Sequence, residues 1–325
     1  MKPLVVVAGA THPDGLAQLE AVSRVVVSEE ITEQGLIGVA REAIGILFHL
    51  KPKCSRELMT ACPGLKVVGR HGVGLDTVDL KAATDLGIAV VHAPGSNSDS
   101  VAEHALMMIL ACAKQALEID RTTRKAEWKR PATDNMELKG KTLGIVGVGD
   151  IGRRMARIGN ALGMRVLGYD KYVADAEVRA RGAEPRPDLH ALLREADVVT
   201  CHTPHTPDTH HMIDAAAVAQ MKHGVIFVNT SRGRVQDEHA LFEGLTRGRI
   251  RAAGIDVFDE EPVAADNPLL NLPNVVVSSH VAGVTVESMR AMAMQVTAEM
   301  VRVIRGEKPR VYGNPDVAPK LTNLR

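Results

Sequence analysis

The chain has 325 residues, enough for two domains with cores of their own. Lys plus Arg and Asp plus Glu balance at 39 each, which removes any charge-driven case for nucleic acid or an acidic membrane surface. Apolar residues make up 45% but aromatics only 2%, so stacking platforms for single-stranded nucleic acid are excluded as well.

The first hundred residues alternate short β-rich runs with helical patterns. Strands are expected at 4–8, 24–28, 45–50, 65–70 and 89–92, and helices at 14–22, 32–42, 55–62 and 79–86. Such alternation implies a parallel sheet with helices on both faces. The apolar start, 4–7, is too short for a signal-peptide core or a membrane span, and a cytoplasmic protein is expected. Cys54, Cys62, Cys112 and Cys201 show no C-x-x-C spacing and suit reduced thiols. Gly72-Val73-Gly74 looks like a dinucleotide turn, but Thr77 stands where a third glycine belongs and no long helix opens at Leu75. It is compatible with a backbone nest whose N–H groups accept a carboxylate.

Pro94-Gly95-Ser96-Asn97 is turn chemistry, and Ser100 with Glu103 fits a capping box. The apolar helix that follows, through Leu106, Ile109 and Leu110, is expected to run as far as Trp128. Residues 131–138 are polar and irregular. The most informative stretch then begins. A strand-length apolar run, 143–148, leads into Gly147-Val148-Gly149-Asp150-Ile151-Gly152, then a helix carrying Met155, Ile158 and Leu162, then a strand over 164–169 ending at Asp170. Strand, glycine turn, helix, strand and acid is the context in which G-x-G-x-x-G binds a dinucleotide. Gly147 permits the turn, Gly149 admits the pyrophosphate and Gly152 allows close packing of helix on strand. The helix N-terminus holds the phosphates, and Asp170 accepts from the ribose hydroxyls. A carboxylate there repels a 2′-phosphate, which favours NAD over NADP, with Lys171 next door weakening that preference.

Further alternation follows, with helices at 189–195, 213–221 and 237–245 and strands at 197–202, 225–230, 250–258 and 275–279. A long helix, 284–305, closes the pattern, and its methionines suit packing. Chemically useful residues follow three strands, at the edge where doubly wound sheets bind ligands: Arg232 after 225–230, the acids Asp256, Asp259, Glu260 and Glu261 in and after 250–258, and His280 after 275–279. Singly, each has a structural explanation. Together they suit hydride transfer at a 2-hydroxy acid: a histidine base for the alcohol proton, a carboxylate to orient it, and a planar guanidinium for the substrate carboxylate. His202, His205, His210 and His211 lie in a Pro-rich loop without a completing thiolate or carboxylate pattern, and no metal is expected.

The chain resembles the D-isomer-specific 2-hydroxyacid dehydrogenases, in particular their phosphoglycerate dehydrogenase-like branch. The resemblance rests on Gly69-Arg70 with Gly72–Asp76, Ser100–Glu103, Gly147–Gly152, His202-Thr203-Pro204, Asn229–Gly233, Asp256–Pro262 and His280–Gly283. It implies an α/β architecture of two doubly wound parallel-sheet domains. One is a flavodoxin-like substrate domain, 1–99 with 285–325, and the other a Rossmann NAD-binding domain, 100–284. The implied catalytic trio is Arg232, Glu261 and His280. The implied NAD contacts are Gly147, Gly149, Asp150, Ile151, Gly152, Asp170, Thr203, Thr230, Ser231, Asp256, His280 and Gly283. The substrate carboxylate would meet Val73, Gly74 and Arg232. A homodimer, helped by the helix from Ser100, and a small 2-hydroxy or 2-oxo acid as substrate are implied too. The alternative is an NAD(H)-sensing regulator on the same fold. Two departures stand out. His49 occupies the position of a phosphate-holding arginine, with Lys51 and Lys53 nearby, and no counterpart of the regulatory extension of longer members is expected.

Overall fold

The computed structural model describes residues 2–29, 32–49, 51–128 and 134–321. The chain divides into two compact units, Met1–Asn97 with Val284–Arg325, and Ser98–Gly283. The first runs β1 (Leu4–Ala8), α1 (Pro13–Val22), β2 (Arg24–Ser28), α2 (Glu33–Ala40), β3 (Gly45–Phe48), α3 (Arg56–Ala61), β4 (Val67–Arg70), α4 (Leu80–Asp85) and β5 (Ala89–Val91). The second continues with α5 (Ser98–Lys114), α6 (Ala116–Arg124), β6 (Thr142–Val146), α7 (Asp150–Ala161), β7 (Arg165–Tyr169), α8 (Asp175–Ala180) and β8 (Glu184–Pro185). It is completed by α9 (Leu189–Glu195), β9 (Val198–Cys201), α10 (Ala215–Gln220), β10 (Val225–Asn229), α11 (Glu238–Thr246), β11 (Ile250–Ile255) and β12 (Val275–Val277). The last helix, α12 (Val286–Ile304), returns to the first unit.

All strands pair in parallel. The first sheet has the order β2-β1-β3-β4-β5, and its strand order reverses between β1 and β3. Alternate residues of β1 serve opposite cores, Val5 and Val7 facing Leu19, Val296 and Met300, and Val6 and Ala8 facing Leu36, Phe48 and Leu58. That is the two-residue period of a strand buried on both faces. Each fully buried Val or Leu contributes roughly 1.5–3 kcal/mol of transfer free energy. The helices start where a side chain can take up free N–H groups: Thr32, Ser55 and Asp79 cap α2, α3 and α4, and Thr285 forms a reciprocal capping box with Ser288 at α12.

The second sheet has the order β12-β11-β10-β9-β6-β7-β8, which reverses between β6 and β9. One face packs on α9, α10 and α11 through Leu192, Val218 and Leu241; the other packs on α5 and α7 through Ala105, Met108 and Met155. Both sheets are therefore doubly wound. Among the described residues no helix is long and apolar enough to cross a membrane.

Several local expectations are corrected. Helix α5 begins at Ser98, so Ser100 lies inside it and makes no cap. The turn before it ends at Asn97, and Asp99 already sits in the first helical turn, where an acid is favoured by the helix dipole. The helix does not run on to Trp128 either. Gln115 takes a left-handed conformation at φ 51° and separates α5 from α6. Leu162 is the C-cap of α7 and 37% exposed, off the buried face expected for it. Helix α8 and the two-residue edge strand β8 were not foreseen, being too short for a periodic signal. The expected end of β3 at Leu50, and positions 131–133 of the polar segment, lie outside the described residues.

Candidate active site

The glycine turn follows β6. Gly147 has φ 92°, a region closed to most side chains, and a Cβ at Gly152 would run into the Gly147 carbonyl. Nothing lies within 4 Å of a Cβ built on Gly149, so the backbone there is open to a ligand. Gly149 is the N-cap of α7 and has no side chain to satisfy the N–H groups of Asp150, Ile151 and Gly152 in the first turn.

Asp170, at the end of β7, is held more firmly than its expected ribose role suggests. Its Oδ2 accepts from Val148 N at 2.8 Å, and its Oδ1 accepts from Tyr172 N at 2.9 Å and Val173 N at 3.2 Å. A carboxylate offers about four acceptor sites, so capacity remains on Oδ2. Lys171 donates to Asp208 at 2.7 Å and Tyr172 Oη to the same carboxylate at 2.8 Å. Asp208 thus engages the lysine that weakened the cofactor preference, a tie that sequence spacing gave no sign of.

Beyond β9, His202 is half-buried and shares a 2.9 Å hydrogen bond between Nε2 and Thr200 Oγ1. Burial pushes its imidazole down to about 3, so it stays neutral. His202 Nδ1 and the hydroxyls of Thr203 and Thr230 are buried without a partner among the described residues. Buried polar groups are rarely left so, and these are candidate ligand contacts. Together with the open Gly149 backbone and Asp170, they fit a dinucleotide.

Asn229, fully buried at the end of β10, shapes the loop that carries Arg232. Its Oδ1 accepts from Ser231 N and Ser231 Oγ at 2.9 and 2.7 Å, and its Nδ2 donates to the Arg232 carbonyl at 2.9 Å. Asp256, only 1% exposed, does the same for the His280 turn. Its carboxylate accepts from Val281 N at 2.9 Å, Ala282 N at 3.0 Å and Ser278 Oγ at 2.5 Å, and its carbonyl accepts from His280 N at 2.7 Å. Ser278 in turn meets His104 Nε2 of α5 at 2.9 Å. The expected NAD contact Asp256 is therefore first an anchor of this turn, which ends at Gly283. His280 is itself left-handed at φ 56°, strain of a kind that persists where surrounding bonds over-determine it.

Within that turn His280 Nδ1 lies 2.6 Å from Glu261 Oε2, and Glu261 Oε1 accepts from Phe258 N at 3.1 Å. Partial burial pushes the Glu261 carboxyl up, but the His280 hydrogen bond and charge, the Phe258 N–H and the Arg232 guanidinium together hold it below the usual carboxylate range. Glu261 thus feels both other members of the expected trio. Asp259, the neighbouring carboxylate, lies instead 3.4 Å from His211 Nε2. His205 and His210 bond to each other at 3.1 Å, and His210 stacks on His211. Among the described residues no group of three or more His, Cys, Asp or Glu is arranged to hold a metal.

In the other unit, Gly72-Val73-Gly74 follows β4. Gly72 has φ 154°, and the Arg70 guanidinium occupies the space that a Gly72 Cβ would need while donating to the His71 carbonyl. Neither Val73 N–H nor Gly74 N–H has a hydrogen-bond partner among the described residues. His49 packs its ring on His71 at 5.2 Å between centroids, and Lys51 and Lys53 are exposed.

Residues 106–282 match the family model described as "D-isomer specific 2-hydroxyacid dehydrogenase, NAD binding domain". The chain is 39% identical over 303 residues to a D-3-phosphoglycerate dehydrogenase of Methanocaldococcus jannaschii, a match covering 93% of this chain and 58% of that protein. It therefore spans about three fifths of the length of the curated phosphoglycerate dehydrogenases it matches first. It is also 36% identical to a glyoxylate reductase of Korarchaeum cryptofilum, over 98% of this chain and 97% of that one. Among solved structures, D-lactate dehydrogenase from Aquifex aeolicus, complexed with NAD and lactic acid, superposes with a TM-score of 0.79 at 31% identity, covering 93% of this chain and 94% of that chain. The cofactor of the Gly147 domain is NAD. The chain belongs to the family of D-isomer-specific 2-hydroxyacid dehydrogenases.

Proposed function

We propose that the protein is an NAD-dependent dehydrogenase of a small, unphosphorylated D-2-hydroxy acid, and in reverse a reductase of the 2-oxo acid. The observation that carries this reading is the 2.6 Å contact between His280 Nδ1 and Glu261 Oε2. With Nδ1–H donating a hydrogen bond to that carboxylate, a neutral imidazole keeps its Nε2 lone pair as a base. His280 takes the hydroxyl proton of the 2-hydroxy acid in oxidation and returns it in reduction. Glu261, held ionised by its surroundings, stabilises the imidazolium formed in between. Arg232 grips the substrate carboxylate with its planar fork, and the Val73 and Gly74 amides supply further donors. NAD, when bound, supplies the hydride acceptor for C2, and Asp170 favours NAD over NADP by its charge.

Two observations support the unphosphorylated substrate. His49 stands where a phosphate-holding arginine would, its ring committed against His71. The glyoxylate reductase relative matches over nearly its whole length. The test is NADH oxidation with glyoxylate, hydroxypyruvate and phosphohydroxypyruvate, compared as kcat/KM. Hydroxypyruvate or glyoxylate should lead. A large preference for the phosphorylated acid would overturn the substrate reading, and tight NADH binding with no turnover on any of them would overturn the enzymatic one.

A further inference from the structure

We propose that His92 is a positioning residue that turns the Val73 and Gly74 N–H groups into a paired donor for the substrate carboxylate. His92 follows β5, and its Nδ1 lies 2.8 Å from the Val73 carbonyl. A carbonyl oxygen can only accept, so Nδ1 carries the proton and the tautomer of the ring is fixed. One residue along, Ala93 N donates to the Gly72 carbonyl at 2.9 Å. Two consecutive carbonyls, Gly72 and Val73, are therefore drawn toward the end of β5.

The planar trans peptide converts this into a statement about donors. Within one peptide unit the C=O and the following N–H point in opposite directions. Drawing the Gly72 carbonyl toward Ala93 aims Val73 N–H away from β5, and drawing the Val73 carbonyl toward His92 aims Gly74 N–H the same way. Two successive N–H groups on one side form a concavity suited to an anion. Both lack a hydrogen-bond partner among the described residues and both are half-buried, so an acceptor is missing on that side.

His92 acts through the carbonyl, not as a cation. Burial pushes its imidazole below the ordinary range; the Val73 bond opposes this, and Arg70 nearby adds to it. The ring is thus a neutral donor that holds the peptide without attracting the carboxylate to itself. Of the two donors, only Gly74 N–H depends on His92, because Ala93 N–H still holds the Gly72 carbonyl whatever side chain stands at 92.

The inference rests on the proposed carboxylate contact at Val73 and Gly74, and its test separates the two. His92→Ala, His92→Asn and Gly74→Pro would be compared for oxamate binding to the NADH-loaded protein and for kcat and KM with hydroxypyruvate, with NADH affinity and thermal melts as folding controls. His92→Ala should weaken oxamate and raise KM about tenfold, the order of one hydrogen bond to a charged group, with kcat changed far less. His92→Asn, whose amide can donate to the same carbonyl, should stay within about threefold of wild type. Unchanged oxamate affinity in His92→Ala, or an Asn variant as impaired as the Ala one, overturns the role of His92. If His92→Ala does not fold, the Asn variant still decides. Gly74→Pro deletes the N–H outright. If it weakens oxamate while His92→Ala does not, the carboxylate contact stands and His92 is wrong; if a folded Gly74→Pro protein binds oxamate normally, the contact itself is wrong.

Discussion

The two parallel sheets end in loops held in different proportion by carboxylates and imidazoles. In Ser98–Gly283 the amide of Asn229 holds the Arg232 loop and carboxylates hold the others: Asp170 accepts from three backbone N–H groups, Asp256 from Val281, Ala282 and Ser278, and Glu261 from Phe258 and His280. In the first unit Glu33 accepts from Ser55 N at 3.2 Å, but imidazoles stand in the loops that follow β1, β4 and β5. His12 accepts from Asp14 N, His71 lies between Thr11 Oγ1 and the Met289 carbonyl, and His92 holds the Val73 carbonyl. A carboxylate uses up N–H donors and leaves negative potential. An imidazole that donates to a carbonyl leaves the neighbouring N–H free. The first arrangement suits a cofactor bearing hydroxyls and a cationic nicotinamide; the second suits an acid. Fold class alone would not distinguish these edges, since both sheets are doubly wound.

The contrast is broken most severely at His280, the anchored residue proposed above to move a proton. General acid–base groups contribute about 10²–10⁴ in rate, so His280→Ala should lower kcat by that order. NADH affinity, measured by fluorescence titration, should hardly change, and a parallel loss of cofactor binding would mean that the variant has disrupted the turn instead.

Asp256→Ala comes next. It leaves the buried Ala282 N–H and the part-buried Val281 N–H and Ser278 hydroxyl without their acceptor, and an unsatisfied buried group costs about 1–3 kcal/mol. At 2–4 °C per kcal/mol for a domain of this size, the melting temperature should fall by roughly 10 °C. An unchanged melt would show that the carboxylate does not anchor the turn.

Glu261→Gln addresses pH. The carboxyl is held below the ordinary glutamate range, so it is anionic at neutral pH and favours the protonated imidazole that the proposed reduction uses. Without that charge, the falling alkaline limb of the reduction profile should move to lower pH. A limb that stays in place would transfer the role to another carboxylate, with Asp259 and Glu260 the candidates. The same depressed carboxyl contributes stability that is fully present above its unfolded value and lost as pH falls through the folded one. The acid side of the stability curve should therefore flatten in the variant.

Asp170→Ala is expected to have the smallest effect. It should narrow the NAD over NADP ratio by roughly tenfold, combining a lost ribose hydrogen bond with relieved repulsion of the 2′-phosphate. An unchanged ratio would leave Asp170 as an anchor of the glycine turn and nothing more.

Much of this was legible in the sequence because the strands are buried on both faces. Val5-Val6-Val7 and Val225–Asn229 announce themselves as apolar runs whatever surrounds them. Helix ends were less so. Ser100 carried a capping signature, yet the preceding turn closes at Asn97 and the helix simply starts earlier. No local signal marks the left-handed break at Gln115. The glycine turn could be argued from spacing, since strand, helix and acid lie within one short stretch. The Glu261–His280 pair could not. Its members are 19 residues apart, joined by a turn that depends on Asp256, and only the family resemblance connected them beforehand. The tie of Lys171 to Asp208 and the bond from His92 to Val73 are long-range side-chain contacts of the same kind, visible only once the loops are in place.

The central claim is that this chain moves a hydride and a proton between NADH and a 2-oxo acid, with His280 as the proton carrier. The most direct measurement supplies NADH deuterated at the transferred C4 position together with hydroxypyruvate, and examines the product by mass spectrometry and chiral chromatography. The account predicts D-glycerate carrying one deuterium at C2, formed by the wild type and slowed about a hundredfold or more by His280→Ala. Product lacking deuterium, product of L configuration, or an undiminished rate in His280→Ala would contradict it.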